Sequence, residues 1–423
     1  MNNFAQKITA ALKDPILRKR VGFTILALVL FRLLATIPIP GVNAANLSTL
    51  LNSSQFFGFL NIFSGGGLSN LSIVMLGVGP FITASIVIQL LTMMFPKWKA
   101  LMHEEGEAGR LKLSHYSRLL SVPLAIVSAI GFMVLLQSQN VLPHLDTMAY
   151  IINIIVITAG SMLLMWIGEL ISEFGIGNGV SLIIFAGIVS VLPTRLTQFV
   201  ADYNVGNLPV YIAGLVIGLV VVAGVVYVTE AERSVPVTYA KQVRGNKVYG
   251  GASTYLPLRL NQAGVIPIIF ALSILLFPQI ISNFLSHVSN ATIAGYASAF
   301  TAFFNNQWVY GILYFVLVVA FTYFYTAVTF DPKQISENLQ RSGAFIPGVR
   351  PGEHTRDHLA SIVTRITLVG SIFLGAVAIL PLIMQGFTGN KTLAIGGTAL
   401  LIVVSVVLDL LKKIDAQVSM REY

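Results

Sequence analysis

Few side chains in this sequence are suited to chemistry, and their spacing argues against most reactions. His354 and His358 stand four residues apart, the spacing of a two-histidine metal face. No HExxH pattern or carboxylate motif accompanies them, and His103, His115, His144 and His287 lie outside apolar runs, so no metal site is expected. There is no cysteine, which removes disulfides, thiol catalysis and thiolate metal sites. A serine nucleophile in a GxSG-like turn, an intramembrane carboxylate pair and a Walker phosphate loop are also missing. Glu169 and Asp409 fall at the ends of apolar runs. Arg32 is the one charge clearly inside such a run, and is expected to snorkel outward or to meet backbone carbonyls at the Pro38 break. No cofactor is expected. The chain reads as a conduit rather than an enzyme.

Aliphatic residues remain. Ile82 and Ile86 are one helical turn apart, and Ile184 and Ile188 repeat that spacing. Branched aliphatics converging from several helices form a constriction that excludes water and ions by dewetting. The same spacing also suits isoleucines facing lipid or a neighbouring helix, so it assigns nothing alone.

The elements that would carry these residues are membrane spans. The 423 residues are 55% hydrophobic and 10% charged, against roughly 25% charged in soluble domains, and the mean hydropathy is +0.81. Residues 1–20 carry Lys7, Lys13, Arg18, Lys19 and Arg20 with Phe4, Ile8, Leu12 and Ile16 at helical spacing, which predicts a helix on the membrane surface. A cleaved signal peptide fits less well, because the following apolar run is long, contains Arg32 and lacks a small-residue cleavage site. The spans are expected at 21–39, 77–95, 119–136, 148–168, 179–199, 208–229, 261–281, 308–329, 366–385 and 392–411, about 20 residues each. Long polar inserts cover 230–260, with β-like runs and a turn at Arg244-Gly245-Asn246, and 330–365. A short tail covers 412–423.

The stretch from Leu33 to Phe95 has no charge, yet is dotted with amides such as Asn43, Asn52, Gln55, Asn61 and Asn70 and broken at Gly65-Gly66-Gly67. Irregular backbone at membrane depth is tolerated where it faces protein or a water-filled cavity. Residues 56–76 are therefore expected to be a re-entrant element. With the spans alternating, one side holds all of the 26 Lys and Arg residues except Arg32, Arg195 and Lys391, and that side is cytoplasmic by the positive-inside rule. Five spans precede residue 200 and five follow. Two repeats of five must be inverted relative to each other, with sites near the midplane.

Gly66-Gly67-Leu68-Ser69-Asn70, with Leu76-Gly77-Val78-Gly79-Pro80-Phe81-Ile82-Thr83-Ala84-Ser85-Ile86 and Gln89-Leu90-Leu91, resembles the first signature of the SecY family, the central subunits of the bacterial Sec translocon. Met165-Trp166-Ile167-Gly168-Glu169 and Gly175-Ile176-Gly177-Asn178-Gly179-Val180-Ser181 are similar to its second. Pro236-Val237-Thr238-Tyr239-Ala240-Lys241 and Phe345-Ile346-Pro347-Gly348-Val349-Arg350-Pro351-Gly352-Glu353 resemble its cytoplasmic loops. Phe81 stands where tyrosine is usual, and Glu232-Arg233-Ser234 has one basic residue where adjacent arginines are common.

The resemblance implies an all-α polytopic membrane protein, with ten transmembrane helices in two inverted pseudo-symmetric halves, 21–200 and 208–411, and a re-entrant plug helix at about 57–75. It implies a protein-conducting channel that also releases membrane segments sideways into lipid. The plug would include Ser64, Gly65, Gly66, Gly67, Leu68, Ser69 and Asn70. The pore ring would be Ile82, Ile86, Ile184, Ile188, Ile269 and Ile402. Spans two and seven would part as a lateral gate, with Gln89, Thr92, Asn261 and Gln262 near it. Lys241, Arg244, Lys247, Arg350, Pro351, Gly352 and Glu353 would dock the SecA ATPase or a ribosome, through rRNA, and SecE and SecG would be the small partner subunits. Localisation would be the bacterial cytoplasmic membrane, with unfolded secretory polypeptides as cargo. The competing class is a small-solute secondary transporter with inverted repeats, which would need midplane carboxylates that the sequence lacks.

Overall fold

The computed structural model describes residues 14–40, 61, 64, 66–95, 97–98, 101, 106–138, 146–201, 208–240, 242–244, 247–249, 253–285, 291–388 and 391–419. The expected surface helix up to residue 13, the start of the re-entrant element, Gly65, Lys241 and the 245–246 turn lie outside these residues.

The chain is predominantly helical. In order come α1 (Pro15–Leu34), α2 (Gly79–Met94), α3 (Gly106–Ser138), α4 (Thr147–Phe174), α5 (Gly179–Ala201) and α6 (Leu208–Glu230). Strands β1 (Glu232–Tyr239), β2 (Gln242–Arg244), β3 (Lys247–Tyr249) and β4 (Ser253–Arg259) follow. Then come α7 (Ile266–Leu285), α8 (Ala291–Asn305), α9 (Gln307–Thr329), α10 (Pro332–Arg341), β5 (Ala344–Phe345), α11 (Glu353–Thr388) and α12 (Lys391–Ser419). Among the described residues, five stretches are long and apolar enough to cross a membrane: Gly106–Val134, Thr147–Phe174, Ile212–Glu230, Gln307–Arg341 and Glu353–Leu380. Shorter apolar helices run over Gly79–Thr92, Gly179–Pro193 and Ile266–Leu275. Large apolar side chains such as Leu26, Leu119, Leu219 and Ile312 stand exposed on the helices, which suits lipid as the surrounding solvent.

Helix ends differ from the hydropathy reading where capping or length intervenes. α1 starts at Pro15, not at residue 21, because the Asp14 carboxylate accepts from the Ile16 amide at 2.9 Å and proline suits the first turn. α3 begins at Gly106, so half of the expected basic loop is helix. α11 begins at Glu353 and absorbs the end of the second insert, with His354 and His358 exposed on its first turns. α8 was not expected. Its apolar residues are mixed with small ones, so it gave no clear span signal, and it is tied to α7 by the Ser282 hydroxyl, which donates to the Ala297 carbonyl at 2.7 Å.

The two polar inserts are one structural unit. β1 pairs antiparallel with β4 from Glu232↔Arg259 to Thr238↔Ser253, and at its far end with β5 of the other insert through Thr238↔Phe345 and Tyr239↔Ala344. Pro236 is tolerated because β5 does not reach that far along β1. Alternation along β1 turns Val235 and Val237 inward, onto Leu258, Ile346, Leu359 and Ile362. These sheets are the β exception to a purely helical reading.

Candidate functional site

The glycine-rich stretch is a chain of turns between α1 and α2. The Ser64 hydroxyl donates to the Asn61 carbonyl and accepts from the Leu68 amide, both at 3.0 Å, opening a single 3-10 turn over Leu68–Asn70. Leu71 follows with φ 44°, a left-handed conformation rare outside glycine. The chain then forms a short antiparallel bridge with the residues that follow α1: the Ile39 amide donates to the Leu71 carbonyl and the Ile73 amide to the Ile37 carbonyl, both at 2.9 Å. The Asn70 amide reaches the Ala35 carbonyl at 3.3 Å. α4 closes the other side. The Ser161 hydroxyl donates to the Gly77 carbonyl at 2.9 Å, and a Cβ at Gly160 would run into the Ile73 carbonyl. Protein groups thus satisfy irregular backbone, as membrane depth requires. From Ser64 to Gly77 the described residues form turns and one 3-10 helix, Asn61 is helical, and residues 57–60, 62–63 and 65 of the expected plug helix lie outside the described residues. Leu68, Leu71, Met75 and Leu76 pack with Ile39, Phe132, Met133 and Ile157.

Ile82 and Ile86 of α2, Ile184 and Ile188 of α5, Ile269 of α7 and Ile402 of α12 are each at most 6% exposed and belong to one apolar cluster. Val74 and Val78, from the end of the glycine-rich turn, belong to the same cluster. Four helices that are distant in sequence, and the end of the irregular segment, therefore contribute to one buried apolar core. Tyr310 and Tyr314 of α9 share this cluster and were not anticipated. Their signal was available, two tyrosines one helical turn apart, but it reads as any apolar face.

α7 packs against both α2 and α3. The polar residues expected near that seam bond within their own segments. The Thr92 hydroxyl, 3% exposed, donates to the Gln89 carbonyl at 2.6 Å, and the Asn261 amide donates to the Gly264 carbonyl at 3.2 Å. The Gln89 Oε1 and Asn261 Oδ1 are buried with no partner among the described residues. Asn261 also lies beside α11, where Gly370 lets the helix approach the Leu260 carbonyl. Gln262 is half-buried.

Arg350 stands exposed at the tip of the second insert. Its loop is held from both sides: Ser336 donates to the Gly352 carbonyl at 2.6 Å and Thr355 to the Arg350 carbonyl at 2.9 Å. Pro351 and Glu353 are exposed beside it, and Gly352 adopts φ 94°. Arg244 and Lys247 lie on the β2–β3 hairpin as paired residues. The two acidic residues noted at span ends have partners: Arg118 Nε donates to Glu169 at 2.6 Å, joining α3 to α4, and Lys413 pairs with Asp409 at 3.0 Å. Lys412 of α12 bridges to Glu230 at the foot of β1 at 2.9 Å.

A profile of SecY matches residues 72–411. The chain belongs to the SecY family. It is 39% identical to the protein translocase subunit SecY of Mycobacterium tuberculosis, over 98% of each chain. It is also 39% identical to that of Streptomyces coelicolor, over 98% of this chain and 97% of the relative. Among solved structures it superposes on one described as a protein conducting channel with TM-score 0.66 at 20% identity, covering 96% of this chain and 94% of the other. Sec61 in a canine ribosome-channel complex gives TM-score 0.64 at 19% identity, with 96% and 94% covered. These likenesses show the fold. A SecY-family chain with several apolar helices of membrane-crossing length is a multi-pass membrane protein.

Proposed function

We propose that this SecY-family chain is a protein-conducting channel, carrying unfolded secretory polypeptides across the bacterial cytoplasmic membrane and releasing apolar segments sideways into lipid. What supports this reading is that Ile82, Ile86, Ile184, Ile188, Ile269 and Ile402, from four helices, are all buried in one apolar core that also contains Val74 and Val78 of the glycine-rich turn. A ring of compliant aliphatic side chains closes around a chain of varied width yet offers no site to an ion. The glycine-rich segment from Ser64 to Asn70 is the plug beneath that ring. Ten helices span the bilayer as two inverted halves of five, 21–200 and 208–411, with both termini and both polar inserts cytoplasmic.

α2 and α7 form the lateral gate, near Gln89, Thr92, Asn261 and Gln262. An apolar segment in the pore lowers its free energy by passing between them into lipid. The exposed Arg350 loop, Pro351 to Glu353, and Lys241, Arg244 and Lys247 are the docking surface for SecA and the ribosome, whose rRNA is met by cationic loops of this kind. SecE and SecG are the small partner subunits. A photo-cross-linker at Ile184 tests the reading: an arrested secretory chain yields a covalent adduct there, and its absence at Ile184, Ile86 and Ile402 alike overturns the pore.

A further inference from the structure

Between residues 21 and 96 the sequence carries a single charge, Arg32. It lies two residues from the end of α1, half-buried, beside an open groove of about 390 Å³ whose other lining includes Ile25, Leu28, Val29, Leu33 and Ala186. On that side its neighbours are aliphatic apart from Thr36, whose hydroxyl donates to the Leu33 carbonyl at 2.7 Å. On the other side is the glycine-rich segment. Gly66 sits in a notch where an added Cβ would stand 3.3 Å from Arg32 Nη1, 3.5 Å from Ser190 Oγ and 3.6 Å from a Val191 methyl. Gly66 also has φ 82°, a backbone conformation that favours glycine.

A guanidinium stays charged at any working pH and has five N–H donors in a rigid fork. At membrane depth it must find carbonyls, water or a lipid headgroup, since none of its aliphatic neighbours can serve. We infer that Arg32 is the positioning residue that holds the glycine-rich segment in its seat: the arginine of α1 is pressed against the segment's backbone at Gly66, and α5 closes the notch from behind. Moving the segment away takes the Gly66 backbone from the face of the guanidinium that it covers. Arg32 thereby biases the channel toward its closed state. This rests on the plug reading above.

The test uses the complex with its small subunits, reconstituted in planar bilayers without substrate. Arg32→Gln is expected to raise resting ion conductance about tenfold, the factor expected from losing one charge-assisted contact. Arg32→Lys, which keeps the charge, restores part of the closure, which a merely structural defect would not allow. Native-like conductance in a membrane-assembled Arg32→Gln complex overturns the inference. Should that variant fail to assemble, Gly66→Ala is read the same way, since its methyl and the backbone strain at φ 82° disturb the contact with Arg32 while leaving the arginine in place. Removal of residues 64–70 is the separating control. If it leaks while Arg32→Gln and Gly66→Ala stay tight, the inference about Arg32 alone falls. If it too stays tight, the plug reading falls and takes the inference with it.

Discussion

Tyr239 and Ala344 lie opposite each other in an antiparallel ladder, although more than a hundred residues separate them. The pair joins the end of β1 to β5, and the Ala240 amide extends the link to the Gly343 carbonyl at 2.9 Å. The two polar inserts are thus one small folded body. Its core runs through Val237, Ile346 and Leu359, and its tip is Arg350. A load applied at Arg350 therefore reaches the foot of α6 as well as the start of α11.

If that body is the docking surface, Arg350→Glu blocks SecA-driven secretion while leaving membrane assembly intact. The measurement is export of a reporter preprotein by inverted vesicles. Secretion at the native rate would remove Arg350 from the surface.

The shared core predicts a stability effect that spreads across both inserts. Ile346 is 3% exposed, and Ile346→Ala is expected to cost about 2–5 kcal/mol. Limited proteolysis should then cut both 230–260 and 330–350 sooner. Faster cutting in the second insert alone would count against a common body.

Polar replacement in the isoleucine cluster tests the seal. Ile86, Ile184 and Ile402 are at most 2% exposed, and Ser or Asn at any of them brings hydrogen-bonding groups that favour water in the constriction. Resting conductance in planar bilayers is expected to rise at each position. An unchanged conductance in all three would remove the ring.

The Lys412–Glu230 bridge joins α12, which carries Ile402, to the foot of β1. Both partners are partly exposed, so the coupling is expected to be small, about 0.5 kcal/mol, and weaker in high salt. Lys412→Glu lowers the thermal midpoint slightly, and adding Glu230→Lys restores it. A double-mutant cycle without coupling would make the bridge incidental.

Gly160 offers the sharpest steric test. A side chain there meets the carbonyl of Ile73, whose amide is tied to the Ile37 carbonyl at 2.9 Å. Backbone cannot give way as a flexible side chain can, so Gly160→Val is expected to cost about 3 kcal/mol or more. The reading is the thermal midpoint of the purified complex, and an unchanged midpoint would mean that α4 is free to shift.

Much of this was written in the residues themselves. Apolar runs of membrane length, one-sided basic loops and the inert interior specify a helical membrane conduit, because lipid and membrane charge act on each segment locally. The glycines and amides from Asn61 to Gly77 announce irregular backbone, since no lipid-facing helix would carry them. Distance in sequence hid the rest. Isoleucine spacing on α2 and α5 could not distinguish a lipid face from a buried one, and packing places them in the same apolar core as Ile269 and Ile402, which only the family resemblance had pointed to. The union of the two inserts through Tyr239 and Ala344 had no local signature, because a strand of two residues has no pattern to read. Arg32 could be counted from the sequence, but its neighbour could not. Whether a lone cation faces lipid, water or a glycine turn depends on how the α1 and α5 surfaces meet around Gly66, and that is a property of the assembled structure.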